Sequence, residues 1–304
     1  MRPRPVRKGD LVGICAPSGP VDPDRLRAGI GVLESQGFQV RVGEGALSRK
    51  RLTAGSVARR VEEIHALFAD PDVAAIFCAR GGEGAGWLLR HLDPELIRSH
   101  PKPFVGYSDV TFLHLLLERL GLVSFYGPMA AVDFPEGRYD AGSLWGALSG
   151  ESRYASGPDE LLLLRSGSGE GRLRGGCLSI LASAAGTPWA LLPSRESTLL
   201  FLEDVDEPPY QIDRMLLQLR ESGAFDSVVG VVFGDMKGCS PRREASFTLD
   251  EVLLDALEGL DIPVALGLSS GHTMAPTVTL PLGVRGRLVC DGEARFEVLE
   301  DAVG

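Results

Sequence analysis

Apolar positions along this chain come in short runs separated by segments of helical spacing, and that alternation sets the first expectation. Leu11–Ala16 is an apolar run closed by the turn cluster Pro17-Ser18-Gly19-Pro20. Asp22 then stands as an N-cap with Pro23 at the first helical position, and Gly37 fits a left-handed C-terminal position about fifteen residues on. Phe38–Val42 reads as a second strand, and Ser56 caps a helix whose Val57, Val61, Ile64, Leu67 and Phe68 recur at helical spacing. Val73–Cys78 is apolar at every position, as a strand covered on both faces must be. The glycine-rich loop Arg80–Gly86 follows, then a helix to about His91, the Pro103–Gly106 strand with its helix, and Val123–Tyr126. Strand and helix alternating at this spacing predict a parallel, doubly wound α/β sheet, whose ligands bind outside the carboxyl ends of the strands. The Ala16–Pro20, Arg80–Gly86 and Ser108 turns all fall on that edge.

From about Ser149 to Gly171 the pattern gives way to Ser, Gly and charged residues. This predicts an N-terminal domain over residues 1–150, a linker over 151–172 and a C-terminal domain over 173–304. In the second half Thr198–Leu202 and Val228–Phe233 read as strands, Tyr210–Arg220 and Thr248–Gly259 as helices, and Thr277–Val298 as β hairpins.

Composition narrows the class. The 304 residues carry 41 acidic against 31 basic side chains, a formal net charge of −10. That balance argues against a nucleic-acid partner, which needs a basic face. Five scattered cysteines with no C-x-x-C pair argue for a reducing compartment and against a zinc site. No apolar run approaches the roughly 20 residues of a membrane span, and no apolar segment follows the basic amino terminus. The expected location is the cytoplasm, without a membrane partner.

The candidate chemistry starts at Gly106-Tyr107-Ser108-Asp109, an abrupt turn between strand and helix. Such a turn lifts a serine hydroxyl clear of the backbone beside unpaired helix-start amides, the geometry of a nucleophile elbow, although the local sequence is not Gly-x-Ser-x-Gly. From this segment alone Ser108 reads more readily as a helix N-cap than as a nucleophile. Of five histidines, His65 lies on a helix among apolar neighbours, His91 and His100 flank a loop, and His114 lies on the helix after Ser108, facing largely away from the turn. His272 sits in the loop Ser269–Thr273, where it is either a general base or surface decoration. After Thr198–Leu202 come four carboxylates in five positions, Glu203, Asp204, Asp206 and Glu207. They are a solvated helix approach, or Glu203 is a buried partner for an imidazolium. Gly81-Gly82-Glu83-Gly84 brings backbone amides close to a ligand oxygen; it lacks the G-x-G-x-x-G spacing and the Walker lysine of nucleotide loops.

Taken in order, residues 9–20 (GDLVGICAPSGP), 79–84 (ARGGEG), 106–109 (GYSD), 201–216 (FLEDVDEPPYQIDRML) and 271–283, with Gly-His and Leu-Pro-Leu-Gly, resemble the LD-carboxypeptidase family of serine peptidases, which includes the microcin C immunity peptidases. The resemblance covers nearly the whole chain, and 201–216 is its most specific part. It implies a flavodoxin-like N-terminal domain, a β-rich α/β C-terminal domain and a homodimer. It implies a triad of Ser108 as nucleophile, Glu203 as orienting carboxylate and His272 as base, formed in the cleft between the domains, with the Asp109 and Gly82 amides as oxyanion hole and no metal or cofactor. Gly81 and Glu83 become substrate-binding candidates. The implied substrate is a small peptide, murein tetrapeptide losing its terminal D-alanine, or a microcin-type peptidyl-nucleotide; a non-catalytic peptide sensor is the alternative class. Two positions depart from the family pattern: Glu83 stands where tyrosine is usual, and Cys177 where asparagine is usual.

Overall fold

The computed structural model describes residues 1–157, 160–241 and 246–304, and divides into two compact units. The first comprises Met1–Ser152, Pro276–Pro281 and Asp301–Gly304; the second comprises Arg153–Ala275 and Leu282–Glu300.

The first unit alternates β1 (Leu11–Cys15), α1 (Pro23–Ser35), β2 (Gln39–Val42), α2 (Val57–Ala69), β3 (Val73–Cys78), α3 (Pro94–Ser99), β4 (Phe104–Gly106), α4 (Thr111–Arg119), β5 (Ser124–Tyr126) and α5 (Ala141–Ser149). β2, β1, β3, β4 and β5 lie side by side in that order, all parallel. This is the flavodoxin-like order, with its switch point between β1 and β3. Asp22 caps α1 by accepting from the Asp24 and Arg25 amides, and Ser56 caps α2 through Arg59 N. All six residues of β3 are buried, whereas β2 at the sheet edge is partly exposed throughout.

The second unit holds β6 (Leu162–Arg165), β7 (Gly167–Cys177), α6 (Leu178–Ala184), β8 (Thr198–Glu203), α7 (Pro209–Glu221), β9 (Val228–Gly234), α8 (Leu249–Ala256) and β10 (Val264–Leu268). Farther along, β11 (Leu280–Leu282) joins the first unit's sheet beside β5. β12 (Arg285–Asp291) and β13 (Glu293–Val298) complete the second sheet, ordered β13-β12-β7-β8-β9-β10-β6. Its core β7-β8-β9-β10 is parallel, flanked by antiparallel β12, β13 and β6. β8 is wholly buried, while β13 alternates exposed and buried residues, as a hairpin covered on one face does.

Four readings need correction. Residues 151–172, expected to be a linker, contain β6 and the start of β7; Pro158 and Asp159 lie outside the described residues. The glycines there serve close strand packing. A Cβ on Gly169 would stand 2.1 Å from Val229 O, and one on Gly171 would stand 2.6 Å from Ser197 O. After the glycine loop only a 3-10 turn, Ala85–Trp87, forms in place of a helix to His91, with Gly84 at φ +103° as its N-cap. The segment between His91 and His100 is not a loop: Asp93 caps α3 there, with Pro94 at its first turn. Within Thr277–Val298, only β12 and β13 form a hairpin.

Candidate active site

β4 ends at Gly106, and the chain turns at once into a 3-10 turn, Ser108–Val110, that runs into α4. Ser108 has φ +67°, a left-handed conformation that costs a residue with a Cβ about 1–3 kcal/mol. Neither the 3-10 turn nor α4 has a side-chain cap, so Ser108 is not spending its hydroxyl on the helix start. This is the elbow geometry, with Gly106 in the upstream glycine position of the Gly-x-Ser-x-Gly pattern and Val110 in place of the downstream glycine. The Ser108 amide donates to Tyr126 Oη at 3.2 Å.

The glycine loop lies against this turn. A Cβ on Gly81 would sit 2.9 Å from Ser108 Cβ and 3.0 Å from its Oγ, so only glycine fits. Gly82 (φ +121°) abuts Gly19, and Gly19 N donates to Gly81 O at 3.1 Å. The amides of Gly82 and Asp109 have no acceptor among the described residues, the condition an oxyanion hole requires. Glu83, next in the loop, is exposed.

Buried side chains that the sequence did not single out hold these loops. Asp109 Oδ2 accepts from Ala85 N at 2.8 Å, tying the serine turn to the glycine loop. Arg60, on α2, donates through Nη1 to Gly84 O at 2.9 Å and also to Pro17 O. Burial raises the Asp109 carboxyl and lowers the Arg60 guanidinium, and their mutual attraction opposes both shifts. His114 does not face away. Its Nε2 lies 2.8 Å from Gly106 O and its Nδ1 2.8 Å from Ser124 Oγ, and burial pushes its pKa down to about 4. A neutral ring with hydrogen on Nε2 donates to Gly106 O and braces the strand end beneath the serine. Helical spacing alone concealed this, because the ring reaches back toward the N-terminus of α4.

The second unit brings two further candidates together. Glu203 is the last residue of β8 and fully buried. Its Oε2 accepts from the His272 amide at 3.0 Å, and His272 Nδ1 lies 3.0 Å from Oε2 and 3.2 Å from Oε1. The ring is 21% exposed. A hydrogen on Nδ1 bound to the carboxylate places the basic lone pair on Nε2, the tautomer a general base needs. Two glycines make room: a Cβ on Gly271 or on Gly234 would fall 2.6 Å from Glu203 Cδ or Cβ respectively. Asp235, just past β9, fixes the histidine loop by accepting from Thr273 Oγ1 and, at 3.1 Å, from Met274 N. The remaining carboxylates divide their roles. Asp204 accepts from Ser179 N at 2.7 Å and Val205 N at 2.9 Å, with burial raising its pKa, while burial also raises that of Glu207. Cys177, paired in register with Glu203, is buried, and burial raises its thiol pKa well above the ordinary value. Among the described residues no helix is long and apolar enough to cross a membrane.

The two halves of the chain match the family models for the LD-carboxypeptidase N-terminal domain, over residues 12–127, and C-terminal domain, over 170–288. The chain belongs to the LD-carboxypeptidase family. It is therefore a hydrolase of the serine carboxypeptidase class. A probable murein peptide carboxypeptidase of Bacillus subtilis is 38% identical, covering 94% of this chain and 91% of its own length. The muramoyltetrapeptide carboxypeptidase of Oxalobacter formigenes shares the fold with a TM-score of 0.82 at 33% identity, covering 95% of this chain and 99% of that one. The microcin C7 self-immunity protein MccF of Escherichia coli is 28% identical, covering 92% of this chain and 91% of its own. A structure of MccF with glutamyl sulfamoyl guanosine matches all of both chains with a TM-score of 0.88 at 26% identity.

Proposed function

We propose that this LD-carboxypeptidase family member cleaves the amide between an L-centre and a C-terminal D-amino acid, with murein tetrapeptide as substrate and Ser108, Glu203 and His272 as its triad. Ser108 Oγ attacks the carbonyl while His272 Nε2 takes its proton, and Glu203 stabilises the imidazolium. The Gly82 and Asp109 amides receive the oxyanion. The imidazolium returns the proton to the leaving amine, and water, deprotonated by His272, then hydrolyses the acyl-serine. The observation that carries this reading is the fully buried Glu203 carboxylate on His272 Nδ1, a pairing that serves proton transfer at the opposite ring nitrogen. The strained Ser108 and the two unpaired amides support it from the other unit. No step requires a metal or cofactor. We further propose a cytoplasmic homodimer; the five buried free thiols agree with a reducing compartment.

The likeness to MccF supports a second reading, hydrolysis of an aminoacyl- or peptidyl-nucleotide. Incubation with murein tetrapeptide and, separately, with a microcin-type aminoacyl-nucleotide, with products read by mass, tests both. Release of D-alanine from the tetrapeptide at the faster kcat/KM is the expected result. Faster turnover of the nucleotide would favour the second reading, and turnover of neither would remove both.

A further inference from the structure

β5 supplies two polar side chains to the serine turn, and both come from one side of the strand. Ser124 and Tyr126 stand two residues apart, the spacing that puts side chains on the same face of a sheet. Ser124 Oγ meets His114 Nδ1 at 2.8 Å, and His114 Nε2 meets Gly106 O at 2.8 Å. Tyr126 lies opposite Gly106 in the β4–β5 register, and its Oη accepts from Ser108 N at 3.2 Å. The strand therefore grips the turn on both sides of Tyr107, at the carbonyl before it and at the amide after it. The tyrosine ring is itself held, its centroid 5.6 Å from that of His114 and 6.1 Å from that of Tyr107.

Packing alone does not call for a tyrosine here. Tyr126 is fully buried, and its neighbour Phe125 is equally buried without a hydroxyl. A phenol taken out of water loses its hydration, so the hydroxyl favours the fold only through the bonds it makes. One of those bonds falls on the amide of the residue at φ +67°. Strained backbone persists only where its surroundings over-determine it, and an acceptor fixed on a buried ring does that for Ser108. The same bond sorts the amides of the turn. Ser108 N is occupied, whereas Gly82 N and Asp109 N have no acceptor among the described residues. An amide paired inside the fold cannot turn to a substrate oxygen, so this pairing leaves the other two as the open donors.

We propose that Tyr126 is a positioning residue for the nucleophile: by accepting from Ser108 N, its hydroxyl holds the serine in the left-handed conformation and aims Oγ for attack. The role rests on the serine peptidase reading, and its test separates the two. Full-length wild type and Tyr126→Phe are treated with a fluorophosphonate, and the rate and extent of phosphonylation at Ser108 are read by mass. The extent counts competent sites, and kcat for D-alanine release is divided by that count. Phenylalanine keeps the ring contacts, so the extent stays near that of the wild type. Phosphonylation rate and per-site kcat each fall about tenfold, the worth of one hydrogen bond, with KM within twofold. A merely structural hydroxyl would instead lower the extent and the melting temperature and leave both per-site rates within twofold of wild type, which overturns the proposal. A second measurement needs no variant. Hydrogen exchange of the wild type, followed by NMR, should show Ser108 N protected at least tenfold more than Gly82 N and Asp109 N; equal protection of the three overturns the proposal. Failure of the peptidase reading would look different: a wild type with Ser108 N protected that neither reacts with the fluorophosphonate at Ser108 nor releases D-alanine, and the positioning role would fall with it.

Discussion

The serine turn and the Glu203–His272 pair each hold one atom of the proposed triad in place, and they do so by different means. At the turn the backbone carries the geometry: Ser108 is held at a positive φ, Gly81 leaves no room for a Cβ, and two amides stay unpaired. The side chains there, Asp109, Arg60 and His114, bond to backbone groups of neighbouring loops and strands. In the second unit a side chain carries the geometry. One buried carboxylate grips both the amide and the ring of His272, and Asp235 fixes the residues that follow. A nucleophile with oxyanion donors needs a shaped main chain, whereas a base needs its tautomer set. Damage should therefore spread differently: through space and shape at the turn, through hydrogen-bond chemistry at the pair.

Glu203→Gln tests the second half of that contrast most severely. The amide keeps the shape but no longer stabilises an imidazolium or enforces the tautomer, so kcat should fall about 10³–10⁴-fold. A loss under tenfold would mean that His272 does not depend on its carboxylate. Gly81→Ala tests the first half. One added methyl group against Ser108 displaces the proposed nucleophile, and about 10²-fold in kcat should be lost with the chain folded, as seen by circular dichroism. Unchanged kcat would show that the close approach has no bearing on reaction geometry. A smaller effect is expected from Asp235→Ala, about tenfold in kcat, because the histidine loop loses three anchors, from Ser269 Oγ, Thr273 Oγ1 and Met274 N, while the Glu203 contact stays; a pH–rate profile of unchanged shape would accompany it.

His114 gives the mildest test, on stability. Its folded pKa of about 4 lies below the ordinary value of 6.5. Between those values the unfolded chain holds a proton that the folded chain does not, so stability rises with pH across that window. The contribution is complete above about pH 6.5, and as pH falls toward 4 about 3 kcal/mol is lost. Urea unfolding of the wild type and His114→Gln over this range should show a gap that changes with pH. A constant gap would remove the histidine from that role.

Much of the first unit was legible because its strands are apolar runs and its helices begin with caps at Asp22 and Ser56 that can be read singly. The second unit was harder where its strands use glycine. Gly169 and Gly171 lie against neighbouring backbone, and nothing in a Ser/Gly-rich composition separates such a strand from a linker. Ser108, Glu203 and His272 stood at turns and strand ends, where a polar residue after an apolar run draws notice. Arg60, Asp235 and the bracing role of His114 did not. Each acts on loops distant in sequence, and only the folded chain shows which carbonyl or amide it meets.

In the proposed reaction one serine performs the cleavage of a C-terminal D-amino acid. Release of D-alanine from murein tetrapeptide, measured side by side for the wild-type chain and a folded Ser108→Ala variant, tests it most directly. The wild type should give stoichiometric tripeptide and D-alanine, and the variant a rate lower by several orders of magnitude. Cleavage by Ser108→Ala at a rate near that of the wild type would contradict it.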